Sequence, residues 1–299
     1  MKLARDAEQY LSDVRECQRL ITEGESYEVC LTTQIDLNVA NMDAWRLYMR
    51  LRRNNPAPYA AFMNLGGGVG IASSSPERFL KVAPDGTATC KPIKGTAPRG
   101  KTQQEDDKLR DDLQSSVKDM SENLMVRRMC PLEGVVDAFC AQIVDLIRND
   151  LGLVCERGSV KVPRLMRVES YATVHQLVST IVGVIRNGLS AVDAARACFP
   201  PGSMTGAPKI RTMEIIDKLE TRPRGVYAGA LGYFSANGAA DLSVVIRTAV
   251  VTPTRVSGGA GGAVIILSDV QGEFDEMLLK ACSFVPSMVA EARSVGRSS

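Results

Sequence analysis

The sequence predicts an α+β fold with antiparallel-rich sheets, and two patterns carry that prediction. Between Tyr59 and Cys90, short β-rich runs follow one another directly, punctuated by Gly66-Gly67-Gly68 and Pro84-Asp85-Gly86, as in a meander. Long segments with apolar residues at helical spacing are interleaved with such runs. A chain of 299 residues, 45% of them apolar, suits one large globular domain over 1–299, without an internal repeat or low-complexity linker.

Taken in order, Tyr10, Val14, Cys17 and Ile21 recur at helical spacing and predict an amphipathic helix over 4–22, ended near Gly24. Residues 28–37 alternate β-formers and read as a strand. Residues 43–53 return to helical spacing around Trp45, Tyr48 and Leu51. After the meander, the charged segment beyond Lys101 reads as a helix reaching Met125 and further. Residues 174–185 form an apolar strand, and a helix starts near Pro208. Strands follow at 226–235, 241–250 and 262–267, and one helix over 273–292 closes the series.

The composition excludes several classes. A net charge of +2 gives no reason to expect nucleic acid or a membrane as partner. No run is long enough to span a bilayer, and the opening residues do not resemble a signal peptide, so a cytoplasmic location is expected. The eight cysteines are scattered without a Cys-x-x-Cys and read as reduced thiols. A single histidine, His175, leaves no room for a His-rich metal site.

Five features could carry chemistry. Pro92 and Gly95 bracket Lys94, which reads either as a surface turn lysine or as an amine held and desolvated for nucleophilic attack. Asp119 with Glu122, and Glu273 with Glu276, are carboxylate pairs at i and i+3, each on one helix face. They are either solvated faces or, brought together, an all-oxygen site suited to Mg²⁺. The run Gly258-Gly259-Ala260-Gly261-Gly262 reads as a loop, either a tight turn or a backbone cradle for an anion. Ser203 and Thr205 lie in a loop leading to a helix start, offering hydroxyls as caps or as anion contacts. Arg247, inside an apolar strand, needs an anionic partner, structural or substrate.

Together these segments resemble the chorismate-utilising enzymes, the family of anthranilate synthase component I, aminodeoxychorismate synthase component I, and isochorismate and salicylate synthases. The resemblance runs through Pro76-Glu77-Arg78-Phe79, residues 92–100, Ser121-Glu122-Asn123-Leu124-Met125, Asp145-Leu146-Ile147-Arg148-Asn149-Asp150, His175-Gln176-Leu177-Val178-Ser179, residues 202–209 and Ile246-Arg247-Thr248. It implies an α/β sandwich of two mainly antiparallel sheets with outer helices. Within the family, Pro-Ile-Lys-Gly-Thr at 92–96 is similar to the aminodeoxychorismate synthases, where anthranilate synthases carry alanine at the lysine position.

That resemblance implies amination of chorismate at C4 to 4-amino-4-deoxychorismate, on the route to 4-aminobenzoate and folate. Lys94 would attack C2 as the C4 hydroxyl leaves, and ammonia would then add at C4 and expel the lysine. It implies Mg²⁺ on Glu122 and Glu276, with Asp119 and Glu273 as second members, and His175 as general acid near the departing hydroxyl. Ser203, Thr205, Tyr227, Arg247 and the backbone at Gly261 would hold the substrate. With one histidine the chain cannot assemble an amidotransferase triad, so ammonia is expected from a glutamine amidotransferase subunit or fused domain. Two alternatives are anthranilate synthase component I and a catalytically dead fragment that binds chorismate or an amidotransferase.

The chain departs from the family in two respects. It starts where the chorismate-binding part starts, so the family's N-terminal segment is expected to be absent. Residues 126–142 interrupt what is one helix in the family, and Pro131 and Gly134 break helical continuity. They read as an insertion or a retained in-frame intron, starting with a valine (codons beginning GT) and ending with a glutamine (codon CAG).

Overall fold

A computed structural model describes residues 2–115, 142–171 and 174–295. In chain order the elements are β1 (Lys2–Leu3), α1 (Ala7–Thr22), β2 (Glu28–Asn38), α2 (Ala44–Asn54), β3 (Tyr59–Gly66), β4 (Val69–Ser75), β5 (Arg78–Val82), β6 (Thr87–Lys91) and β7 (Ile93–Pro98). There follow α3 (Gln103–Ser115), α4 (Gln142–Gly152), β8 (Lys161–Ser170), β9 (Val174–Val184), α5 (Ala191–Cys198), β10 (Gly206–Ala207) and α6 (Lys209–Leu219). The remainder are β11 (Ala230–Phe234), β12 (Ala240–Val244), β13 (Thr248–Val251), β14 (Arg255–Val264), α7 (Val270–Ala281) and α8 (Val285–Val295). No helix among the described residues is long and apolar enough to cross a membrane.

The chain forms two units, the first made of 1–77, 204–232 and 243–299. Its sheet runs β1-β2-β14-β13-β4-β3, with β10 also pairing β2, and the recorded pairings are antiparallel. Helices form where carboxylates cap amphipathic runs: Asp6 accepts from Gln9 N, Asp43 from Trp45 N and Arg46 N, and Asp269 from Gly272 N. Helix α1 turns Tyr10, Val14 and Cys17 inward, as their spacing predicts, into a core with Leu31, Leu47, Leu51, Met277 and Phe284. The buried stripe of α7 is Glu273, Met277 and Ala281, so a carboxylate sits where an apolar residue is usual.

The second unit is made of 78–203 and 233–242. In its sheet β5 neighbours β6, β6 and β7 pair successive stretches of β9, and β8 pairs β9 on its other side. Strand β9 is buried along nearly its whole length, which is why 174–184 reads as an apolar run instead of an alternating one.

Most predicted elements recur within a few residues, and the differences have physical causes. The glycine run 258–262, read as a loop, lies inside β14, which pairs with β2 from Arg255 to Val264. Glycine is poor in strands, but here large neighbours need its missing side chain. A Cβ on Gly258 would fall 2.3 Å from the Phe284 ring, and one on Gly259 2.4 Å from the Tyr227 ring. The strand read over 241–250 is two, β12 and β13, parted where Arg247 adopts φ 52°. The closing helix is also two, because Pro286 has no N–H to continue a helix and instead sits in the first turn of α8. The segment at 226–229 is a turn with Ala228 at φ 63°, so β11 begins only at Ala230.

If packing, and not turn formation, places these glycines, Gly258→Ala should cost about 1–3 kcal/mol through overpacking against Phe284. Urea unfolding of the variant beside the parent measures this. An unshifted midpoint would mean the buried ring has free space around it.

Candidate active site

In the first unit the predicted residues gather on β14, α7 and the segments around Tyr227 and Arg247. Val245 N donates to Gly229 O, and Ala228 N to Val245 O, both at 2.9 Å, so two irregular stretches brace each other. Ala228 and Arg247 are both non-glycine residues at positive φ there, a backbone cost that surrounding structure must offset. The guanidinium of Arg247 is desolvated, and this pushes its pKa below the ordinary arginine value against the opposing pull of Tyr227, Glu77 and Glu276. Tyr227 is buried against Gly259, and burial holds its phenol well above the ordinary range. Arg247 thus has the anionic surroundings that an arginine in an apolar run requires.

The carboxylates of α7 divide in character. Glu273 is 1% exposed and its Oε1 accepts from Ser268 Oγ at 2.6 Å. A Cβ on Gly262 would stand 2.7 Å from Glu273 Oε2, so the glycine makes room for the carboxylate. Glu276 is partly exposed, and Lys280 bridges it to the strand: Lys280 Nζ lies 2.7 Å from Glu276 Oε1 and donates to Gly261 O at 3.0 Å. Gly261 therefore contributes a carbonyl to a lysine, from within a strand, where a loop had been expected. Two carboxylates at i and i+3, with space kept for one of them, form a hard-oxygen donor pair that fits Mg²⁺. Asp119 and Glu122, the other expected pair, lie outside the described residues, as do residues 126–141 of the predicted insertion. Among the described residues no set of three metal-ligating side chains is gathered.

Lys94, His175 and Ser203 belong to the second unit, whereas Thr205 belongs to the first. Lys94 is half-buried and stands on β7, not in the turn its flanking residues suggest. Pairing of β7 with β9 shifts register between Ile93 and Gly95, and that irregularity sits at the lysine. Ala97 pairs with His175 and Gly95 with Leu177, so lysine and histidine lie on neighbouring strands a few residues apart. Ser203 is half-buried in a short 3-10 turn, Gly202–Met204. Thr205 is buried, and its carbonyl accepts from Cys30 N at 2.8 Å, which ties the segment to β2.

His175 is 1% exposed and both its ring nitrogens are engaged. Nδ1 lies 2.8 Å from Ser170 Oγ, and Nε2 lies 3.0 Å from Asp106 Oδ1. Asp106 is in turn gripped by Arg99, whose Nε and second terminal nitrogen donate to its two oxygens at 2.8 Å, and by Gly100 N at 2.8 Å. The Arg99 guanidinium, then the Gly100 N–H, with His175 adding to them, hold the Asp106 carboxyl well below the usual carboxylate range.

Sequence reading missed Glu77, Asp106, Ser170 and Lys280 as members of these clusters. Lys280 stands four residues after Glu276, a pairing that helical spacing alone signals. Asp106 looked like one acid among several in Glu105-Asp106-Asp107, and nothing local separates it from its solvated neighbours.

A model of the chorismate binding enzymes matches residues 1–131 and 141–286, and the chain belongs to that family. It is 51% identical over 290 residues to the probable chloroplastic aminodeoxychorismate synthase of Oryza sativa subsp. japonica, covering 97% of this chain and 30% of that protein. It is 40% identical over 269 residues to aminodeoxychorismate synthase component 1 of Escherichia coli strain K12, covering 90% of this chain and 55% of that one. Its fold matches anthranilate synthase component I from Streptococcus pneumoniae with a TM-score of 0.79 and 34% identity, over 95% of this chain and 58% of that structure. The chain thus spans 30–58% of the length of these three proteins.

The Asp106 cluster has a pH signature. Folding lowers this carboxyl's pKa, so its stabilisation is full above the unfolded value near about 3.9 and is lost as the pH falls through the folded value. Asp106→Asn should therefore lower the thermal midpoint at about pH 7, and by less at about pH 2, where the pH is far enough below the unfolded value for part of the stabilisation to be gone. A gap of the same size at both would mean that the carboxylate's charge contributes nothing.

Proposed function

We propose that this chain carries the chorismate-aminating chemistry of an aminodeoxychorismate synthase, converting chorismate and ammonia to 4-amino-4-deoxychorismate, as a step toward 4-aminobenzoate and folate. The observation that carries the reading is Lys94: an amine fixed at a register shift in β7, beside the strand that bears His175. Relatives at 51% identity bearing that name support it. In this reading Lys94 Nζ forms a bond to C2 while the C4–O bond breaks, the two conjugated ring double bonds shifting through C1, C6 and C5. Ammonia then attacks C4, the shift reverses, and Lys94 leaves as the free amine. One hard displacement becomes two allylic ones.

Arg247, the Tyr227 hydroxyl, Thr205 and the backbone at Gly261 are the candidates to hold the substrate's carboxylates, and Ser203 is a further candidate contact. Glu273 and Glu276 would hold Mg²⁺, with Asp119 and Glu122 completing the set. When bound, the ion would neutralise a substrate carboxylate and orient the ring. Lys280 pairs with Glu276, which offsets the repulsion between two carboxylates on one helix. A glutamine amidotransferase, as partner subunit or fused domain, would supply the ammonia. Residues 126–142 are read as an insertion, and the family match is interrupted inside that stretch, between 131 and 141. For the compartment, cytoplasm stands beside a plastid, since the rice and Arabidopsis thaliana relatives are named chloroplastic.

Incubation with chorismate, Mg²⁺ and ammonium, with product identification by mass and chromatography, tests this reading. The parent should yield 4-amino-4-deoxychorismate, and Lys94→Ala should form at least about 100-fold less. An unimpaired Lys94→Ala would remove the covalent role. Anthranilate as the parent's product would favour the anthranilate synthase alternative.

The ion is tested separately. Glu276→Gln removes a charged oxygen and should displace the Mg²⁺ dependence of turnover to concentrations about tenfold higher or more. A titration that overlays the parent's would make Glu276 a partner of Lys280 alone.

A further inference from the structure

His175 cannot donate a proton directly to anything outside the protein, because its ring is 1% exposed and both nitrogens are taken. The two partners differ in chemistry. Asp106, ionised and held by Arg99 and Gly100, is an acceptor only, so Nε2 keeps its proton in either charge state of the ring. That leaves Nδ1 as the working nitrogen. Its partner, Ser170 Oγ, accepts and donates, and Ser170 is exposed at the end of β8. Of the other charges on the elements around the ring, Glu169 of β8 pairs with Lys91 of β6 at 2.8 Å and Arg110 of α3 with Asp107 at 3.0 Å, while Arg164 and Arg167 stand on β8 and Lys94 on β7.

We propose that Ser170 is the port through which His175 exchanges its proton, and that Asp106 is the positioning residue fixing the ring for that exchange. Resting on the functional reading above, the step balances as follows. The C4–O bond breaks with its electron pair on the departing oxygen, which takes the Ser170 hydroxyl proton and leaves as water. Ser170 Oγ takes the Nδ1 proton of the imidazolium, and the ring is left neutral with its Nε2–H still donating to the Asp106 carboxylate. Carrying the exchange through a hydroxyl keeps the ring dry and its orientation fixed while a small exposed group does the reaching.

Because His175 is the only histidine in the chain, ¹⁵N-histidine labelling gives one ring to observe. In the neutral form the ring should carry its proton on Nε2, and Ser170→Ala should move the Nδ1 resonance while leaving Nε2 in place. With chorismate, Mg²⁺ and ammonium, Ser170→Ala should lose about 100-fold in kcat and the limb of the pH–rate profile that reports the acid. Ser170→Thr, which keeps a hydroxyl at a strand end, should restore both. A neutral ring protonated on Nδ1, an unmoved Nδ1 signal, or an active Ser170→Ala with the parent's pH profile would each overturn the proposal. A parent that does not consume chorismate would sink the functional reading instead, and the two resonances would still decide the relay.

Discussion

The first unit depends on the close approach of β14 to everything around it. Its ladder with β2 is continuous from Arg255 to Val264, so its backbone is held on that side along its full length. On its faces the glycines remove the side chains that would hold neighbours away. Phe284 closes on Gly258, Tyr227 on Gly259, and the Glu273 carboxylate stands over Gly262. Any Cβ at these points meets a buried ring or a buried carboxylate, groups with little freedom to retreat. The same feature therefore seals a core and brings a phenol and a carboxylate to one strand. Strand continuity supplies rigidity that a glycine run by itself lacks.

Burying charge so close to a core has a cost, and the pattern of partners shows how it is offset. Arg5 and Asp13 form a buried pair at 3.0 Å, and Arg224 faces Glu220 at 2.6 Å while also donating to Cys30 O. Those pairs are internally neutral and read as framework. Burial works against both guanidinium charges, but at Arg224 the Glu220 hydrogen bonds outweigh it, whereas at Arg247 it outweighs the support of Tyr227, Glu77 and Glu276. Left-handed backbone at Ala228 and Arg247 adds strain at the same place. Desolvated charge and strained backbone at one place are what make Arg247 the candidate for substrate contact in the proposed function.

Much of this was legible in the sequence. Apolar spacing gave α1 and α2 to within a few residues, and the buried β9 was visible as an apolar run. The family resemblance singled out Lys94, His175, Arg247 and the carboxylates of α7 as candidates, although composition alone left each of them ambiguous. What stayed hidden depended on tertiary neighbours. No local rule shows that Phe284 and Tyr227 will occupy the space glycines leave, so the run at 258–262 looked like a turn. Asp106 is distinguished from Asp107 only by the direction it faces, toward nearby Arg99 and toward His175 on β9, far off in sequence. Lys94 looked turn-bound because Pro92 and Gly95 are turn formers, whereas long-range pairing with β9 overrode that preference.

That override has a chemical consequence. A lysine in a turn takes its position from local backbone that can flex, whereas a lysine on β7 takes its position from β9, which β6 and β8 hold from further along and from the opposite edge. The strand that sets Lys94 also carries His175, so the separation of amine and imidazole is fixed by ladder register and not by loop closure. Asp106 and Arg99 then fix the ring's remaining freedom, its rotation and its tautomer. In the proposed reaction the amine and the histidine that supplies the proton relay would work at a set spacing, and two rows of one sheet would keep that spacing without assembling it anew at each turnover.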